Sequence, residues 1–503
     1  MITWFLFLLY FVPPASAEPF VPGQALDQRL VTQVTATALA FMAPRTLEAV
    51  PVWQLALWGL RGLTTLDARL TVELRDDTLR LSIGNRTLAA RAPPAPDDTG
   101  GWAEATSQLV RAAWDASDAV RRAGTQGVLR TFFDELFNHL DPYSRYAPPA
   151  EAADDRLRRA GRAGIGAQVA HSGRGFTVQE VAPDGPAAEA AIHPGDRILA
   201  VDGQSTEGAD LESVNALLAG PEGTPVTVSL RGRDGRTRSV ELVRTMVPPE
   251  TVVPTRVGDL LVLRVTGFAS DTGARLANEI VRGLAGPQPP RGLVLDLRGN
   301  RGGLLRQAAA AAGTLIPDGL VALTQGRDPA AAHDFRAEGT DLGHGLPVVV
   351  MVDGRSASAA EILAAALADQ GRAVVVGSST LGKGLVQTIA PLPDGGELLV
   401  TWSRVLAPLG WPIQGLGVLP QVCTSLGVDS LMRQLGELSQ GRSMLARPLR
   451  RHRSARAPLP PAEMLEIRNT CPAAEGRDTD LLAARTLIET PAAYAAALLG
   501  PAR

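Results

Sequence analysis

"RGLVLDLRGNRGGLLRQAAAAAGTLI", residues 291–316, and "LPVVVMVDGRSASAAEILAAALADQGRAVVVG", residues 346–377, repeat one pattern: an unbroken apolar run, a loop of small residues, then an Ala-rich helical stretch. Apolar runs without alternation read as strands covered on both faces, and strands that alternate with helices build a largely parallel sheet. The expected class is therefore α/β. Loops that follow parallel strands open on the carboxyl edge of such a sheet, where open α/β folds place their sites. "GNRGG" after a strand at 292–298 and "GRSAS" after a strand at 346–353 should share that edge.

The second loop places Ser358 immediately before a helix from Ala359 to Gln370, with Gly371 closing it. Such a helix covers about 18 Å, and the strand "RAVVVG" returns about 16 Å. The chain thus comes back to its starting edge, and the loop "SSTLGKG" can approach Ser358. That loop holds Lys383, the one lysine among the 49 basic Lys and Arg residues. A serine hydroxyl needs a neighbouring base to become a nucleophile. A buried lysine can serve as that base in its neutral form, whereas arginine stays protonated, which gives a chemical reason for a lone lysine to persist here. Gln387, four residues on, can orient the amine through its amide oxygen. The glycines Gly302 and Gly303 and the helix-start amide of Ala359 are candidate oxyanion donors, because glycine permits close approach and a helix start leaves donors unused. Read singly, these residues also suit plain structural work, since serine caps helices and glycine makes tight turns.

Outward from this core, residues 164–246 change period. Paired strands, the Asp202-Gly203 turn, a helix at 211–218 and a hairpin suggest a compact β-rich module. Residues 18–150 read as a mostly helical N-terminal region around a short β-like segment. The α/β core runs over 250–425, with part of 120–160 expected to pack on it. Residues 426–503 read as a helical tail, within which the Arg- and Pro-rich stretch 441–462 looks like an exposed linker. Residues 1–17 carry the apolar run "WFLFLLYFV" and then Ala15-Ser16-Ala17, the small-residue pattern of a cleaved export signal. The n-region "MIT" has no basic residue, so an uncleaved N-terminal membrane anchor is the competing reading. Cys423 and Cys471 are the two cysteines; in an exported chain they form either a disulfide closing the C-terminal region or a pair of buried thiols.

Several functions are disfavoured. The net charge of −3 provides no basic field for nucleic acid. "GSSTLGKG", residues 377–384, is nearly a phosphate-binding loop, but Gly384 stands where the metal-binding hydroxyl belongs and strands follow where that motif needs a helix. A Ser-His-Asp elbow would need G-x-S-x-G, and in "GRSAS" Ser358 stands where the second glycine belongs. No clustered Cys/His spacing suggests a metal, and no cofactor is expected.

The ordered motifs resemble the carboxyl-terminal processing (tail-specific) peptidases, serine endopeptidases with a Ser-Lys dyad and a PDZ domain. "LDPYSRY", "PGDRILAVDG", "LVLDLRGNRGG", "GRSASAAEILAAAL", "VVVGSSTLGKGLVQ" and "GWPIQGLGVLP" carry the likeness over roughly residues 125–425. It implies a crotonase-like peptidase core with an inserted PDZ domain at 164–246. Ser358 would be the nucleophile, Lys383 the general base and Gln387 its positioner, with Gly302 or Gly303 joining Ala359 as oxyanion donors. It also implies that the PDZ domain binds a substrate's C-terminus and gates activity. Gly164, Ile165, Gly166 and Ala167 would hold the tail carboxylate, with Val214 and Leu218 facing the groove. Periplasmic or envelope location, a lipoprotein adaptor and homo-oligomers are further implications. The sequence departs from the pattern at Arg301, commonly Pro, at Ala360, commonly Ser, and at Gln421, often Asp. These modified loops motivate the alternative of a non-catalytic PDZ-based peptide-binding or scaffolding protein.

Overall fold

The computed structural model describes residues 25–160, 163–173, 175–182, 185–246, 250–286 and 288–498. The expected leader, 1–17, lies outside them. The chain divides into two compact units.

The smaller unit takes in residues 25–43, Val50–Pro148 and Ala390–Leu398. Its helices Val52–Arg61, Thr99–Ala116 and Asp118–Phe137 pack on one another. Asp98 and Ser117 start the second and third by accepting the Gly101 and Val120 N–H groups, two of the donors a helix start leaves unpaired. A meander of Leu70–Arg75, Thr78–Ile83 and Arg86–Arg91 completes the unit. Of residues 120–160, part of which was expected against the α/β core, 149–160 fall in the larger unit and 120–148 in this one. The reason is the apolar face of Asp118–Phe137, whose Phe132, Phe133 and Phe137 are buried beside Val52–Arg61.

In the larger unit the α/β sheet has six strands whose spatial order follows the chain: Val252–Val257, Leu260–Val265, Gly292–Asp296, Val348–Val352, Val374–Gly377 and Val422–Cys423. The first pair is antiparallel and every later pairing is parallel. Every residue of Gly292–Asp296 and Val348–Val352 is buried. Side chains alternate between two cores, as the pleat requires. Leu293, Leu295, Val348 and Val350 pack with helices Thr272–Leu284, Leu305–Gly313 and Ala359–Asp369, whereas Val294, Val349 and Met351 face Leu431, Leu435 and Leu487 of the C-terminal helices. Covering both faces is what turns an alternating pattern into continuous apolar runs. The strand expected to reach 298 stops at Asp296, whose carboxylate takes both the backbone N–H and the guanidinium of Arg298 and bends the chain.

Residues Ala163–Met246 hold a sheet in the order Thr237–Val243, Pro225–Arg231, Arg197–Val201, Gly175–Val181, Ala167–Ser172, with helix Leu211–Leu218 beside it. Ala167–Ser172 is the edge strand.

The stretch 441–462 is largely exposed, yet it is not structureless. It contains the helix Ala446–Ser454, which buries Leu449 and His452. A long arginine stem can bury while the head finds a partner. Arg453 does so 3.0 Å from the buried carboxylate of Asp369.

Candidate functional site

The two loops singled out from the sequence follow adjacent parallel strands and so share the carboxyl edge. In "GRSAS" the two serines differ. Ser356 is fully buried, donates to Leu297 O at 2.8 Å and accepts from Asp353 N–H, so it holds the loop. Ser358 is half-buried and stands at φ 57°, ψ −119°. With the Ala360 N–H to Ala357 O bond, this is the second position of a II′ turn, a conformation glycine takes freely and serine only with strain of about 1–3 kcal/mol. The turn lifts the hydroxyl out at the head of helix Ala359–Asp369.

Glu361, one turn into that helix, is fully buried. Its Oε2 accepts the Ser358 N–H and the Lys383 N–H, each at 2.8 Å. Its Oε1 accepts the Gly382 N–H at 2.6 Å and the Thr380 hydroxyl. The backbone nitrogens of Ser358 and Lys383 are therefore no more than twice 2.8 Å apart. Burial pushes the Glu361 carboxyl upward from its ordinary value, while the hydrogen bonds from Thr380, Gly382, Lys383 and Ser358 pull it down. Four donors on two oxygens leave no lone pair for a proton, which favours the carboxylate in this geometry. The sequence did carry a signal for this residue: Ser358-Ala-Ala-Glu361 has the S-x-x-E spacing of a capping box, in which the glutamate reaches back to the amide before the helix.

The glycine loop meets the serine turn directly. A Cβ on Gly302, at φ 95°, would lie 2.7 Å from Ser358 Cβ and 2.9 Å from Ala359 N. Buried Asn300 fixes this approach: its side chain donates to Val265 O and accepts from Gly302 N–H, and its carbonyl accepts from Ala357 N–H. The Gly302 amide is thus engaged, whereas the Gly303 N–H has no acceptor among the described residues. Gln387 lies on the strand Leu385–Pro391, and its amide nitrogen donates to Thr401 at 3.1 Å. A cavity of about 370 Å³ opens beside the loop, lined among others by Leu304, Phe335, Val386 and Trp402.

A model of peptidase family S41 matches residues 259–424, and a PDZ-domain model matches 156–231. The "Carboxy-terminal-processing protease" of Bartonella bacilliformis is 33% identical over 302 residues, covering 59% of this chain and 69% of that one. The chain belongs to peptidase family S41. The "C-terminal processing peptidase, chloroplastic" of Tetradesmus obliquus, a further relative, is 33% identical over 354 residues, covering 63% of this chain and 74% of its own. Among solved structures, a photosystem II D1 C-terminal processing protease is 28% identical at a TM-score of 0.39, covering 76% of this chain and 97% of that one. This S41 member is a serine-type peptidase with a PDZ domain.

Three departures from the expected motifs have local accounts in this S41 chain. Arg301 is exposed. Ala360 is completely buried, where a hydroxyl would need a partner. Gln421 accepts the Val375 N–H through its side chain at 2.9 Å, so its amide continues the ladder beside the strand Val374–Gly377. In the PDZ domain, Gly164 pairs with Thr245, Ile165 O and Gly166 O accept from Ala187 and Ala182, and Ala167 opens the edge strand. Val214 and Leu218 were expected to face a groove. They are buried in the domain's core cluster with Ile165 and Val169, between helix Leu211–Leu218 and the edge strand. Cys423 and Cys471 form a disulfide.

Proposed function

We propose that this chain is an exported endopeptidase that cleaves proteins near their C-termini through a Ser358–Lys383 dyad. The observation that carries the reading is the single buried Glu361 carboxylate that holds the backbone amides of both residues. In this reading the Lys383 amine takes the Ser358 Oγ proton as the oxygen attacks the scissile carbonyl, then returns a proton to the leaving amine; water resolves the acyl-enzyme by the same route. The developing oxyanion is received by the N–H groups of Gly303 and Ala359, since Asn300 occupies that of Gly302. Gln387, its nitrogen tied to Thr401, offers its Oε1 to the amine.

The PDZ domain binds the substrate tail by strand addition beside Ala167–Ser172, with the carboxylate on the amides of 164–167. Because Val214 and Leu218 fill the space under the helix, a tail must part helix from strand to enter, and this movement is the gate. Export agrees with the N-terminal apolar run and with the disulfide, which persists in oxidising compartments. A lipoprotein adaptor and self-association belong to the same reading.

Wild type and variants are incubated with an envelope extract and the new C-termini sequenced. Ser358→Ala and Lys383→Arg should each abolish them. Full activity in Lys383→Arg would overturn the general-base role.

A further inference from the structure

The lysine loop is held from behind by a segment that lies outside the matched S41 region, residues 468–476. Arg468 ends the helix Pro461–Arg468 and spreads its guanidinium over three carbonyls: Nη2 donates to Thr380 O at 2.8 Å, and Nη1 donates to Leu416 O at 2.9 Å and Gly415 O at 3.2 Å. These carbonyls belong to the two strands of chain that frame Lys383. Gly382 O accepts from Gly415 N–H at 2.8 Å, and the Thr380 hydroxyl donates to Glu361 while accepting from Val418 N–H.

The rest of the segment touches both loops. Ala474 O accepts from the Gly354 N–H at 2.7 Å and from the Ser378 hydroxyl at 2.9 Å, Gly476 N–H reaches Asp353, and Glu475 pairs with Arg355. Cys471 O accepts from Ser379 N–H, and the Cys423–Cys471 disulfide fastens the segment to the last strand of the sheet. These contacts are made to the backbone and side chains of the two loops that carry Ser358 and Lys383.

We propose that Arg468 is a positioning residue for the Lys383 loop, delivered to its place by the disulfide-fastened segment. The inference rests on the Ser358–Lys383 reading. Arginine suits the role because its planar fork can satisfy several fixed carbonyls at once, which a lysine ammonium on a flexible stem cannot do in one geometry. A misplacement of the base by about 1 Å is enough to lower turnover by roughly a hundredfold.

The test compares full-length wild type, Arg468→Met and Arg468→Lys for kcat and KM on one polypeptide substrate, with Ser358→Ala as the blank and binding of a tail peptide by the PDZ domain as a fold control. The expected result is a kcat about tenfold or more below wild type in Arg468→Met, a smaller loss in Arg468→Lys, and KM and peptide binding within about twofold in both. Should Arg468→Met fail to fold, Arg468→Lys alone decides. A kcat within twofold of wild type, or a loss confined to KM, overturns the positioning role. If Ser358→Ala keeps full activity, the dyad reading itself fails, which is a different outcome from an intact dyad indifferent to Arg468. A companion variant, Cys423→Ser with Cys471→Ser, should lower kcat in the same direction, and an unchanged kcat would sever the disulfide from the proposal.

Discussion

Ser358 is the residue at which stability and chemistry pull apart. Its φ of 57° with ψ −119° is a glycine conformation, so Ser358→Gly should raise stability by about 1 kcal/mol in denaturant unfolding while eliminating turnover. A destabilised Ser358→Gly would show that the turn carries no strain. Glu361→Gln tests the carboxylate. An amide offers an NH2 group where Glu361 receives two donors on each oxygen, so at least two N–H or O–H groups lose their acceptor at about 1–3 kcal/mol each. The variant should fold with a lowered melting temperature and lose turnover. Wild-type turnover would mean that the loops hold their places without it.

At the scale of an element, the largely exposed basic helix Ala446–Ser454 buries one face through Leu449 and His452. Its His452 is fully buried, donates through Nε2–H to Gly417 O at 2.8 Å and lies against Trp411. Burial, helped by the nearby Arg453 and Arg468, pushes the imidazole down to about 4. Between about pH 6.5 and 4 the unfolded chain binds a proton that the folded one refuses, so stability is lost as pH falls, by about 2 kcal/mol at pH 5 relative to pH 7. Asp369, raised by burial, acts in the opposite sense: the folded chain keeps its proton to higher pH, and that contribution declines as pH rises. Urea unfolding at pH 5 and 7 should therefore show a steeper acid loss for wild type than for His452→Gln. Equal losses would refute a buried neutral histidine.

For the molecule as a whole, the C-terminal region is part of the catalytic unit rather than an appendage. Its helices cover one face of the sheet, and Arg298 joins Asp296 at 2.7 Å to Asp480 at 3.1 Å across that face. The disulfide spans 48 residues of sequence. Removing a bridge over a loop of that size typically costs 2–4 kcal/mol through the freedom returned to the unfolded chain. Cys423→Ser with Cys471→Ser should show a loss of about that size in denaturant unfolding, with tail-peptide binding by the PDZ domain retained. An unchanged midpoint would show that packing alone secures the region.

The α/β class, the largely parallel sheet and the meeting of the 358 and 383 loops were legible in the sequence, because two-face burial writes continuous apolar strands and each helix returns the chain to the same edge. The S-x-x-E spacing was equally visible, but capping is a local reading and could not reveal that Glu361 also gathers Thr380, Gly382 and Lys383. Which glycine amide is unengaged, which way Val214 and Leu218 turn, and the burial of His452 were decided only in three dimensions. Each depends on a partner far away in the chain, and local pattern records what a residue prefers without recording what it meets.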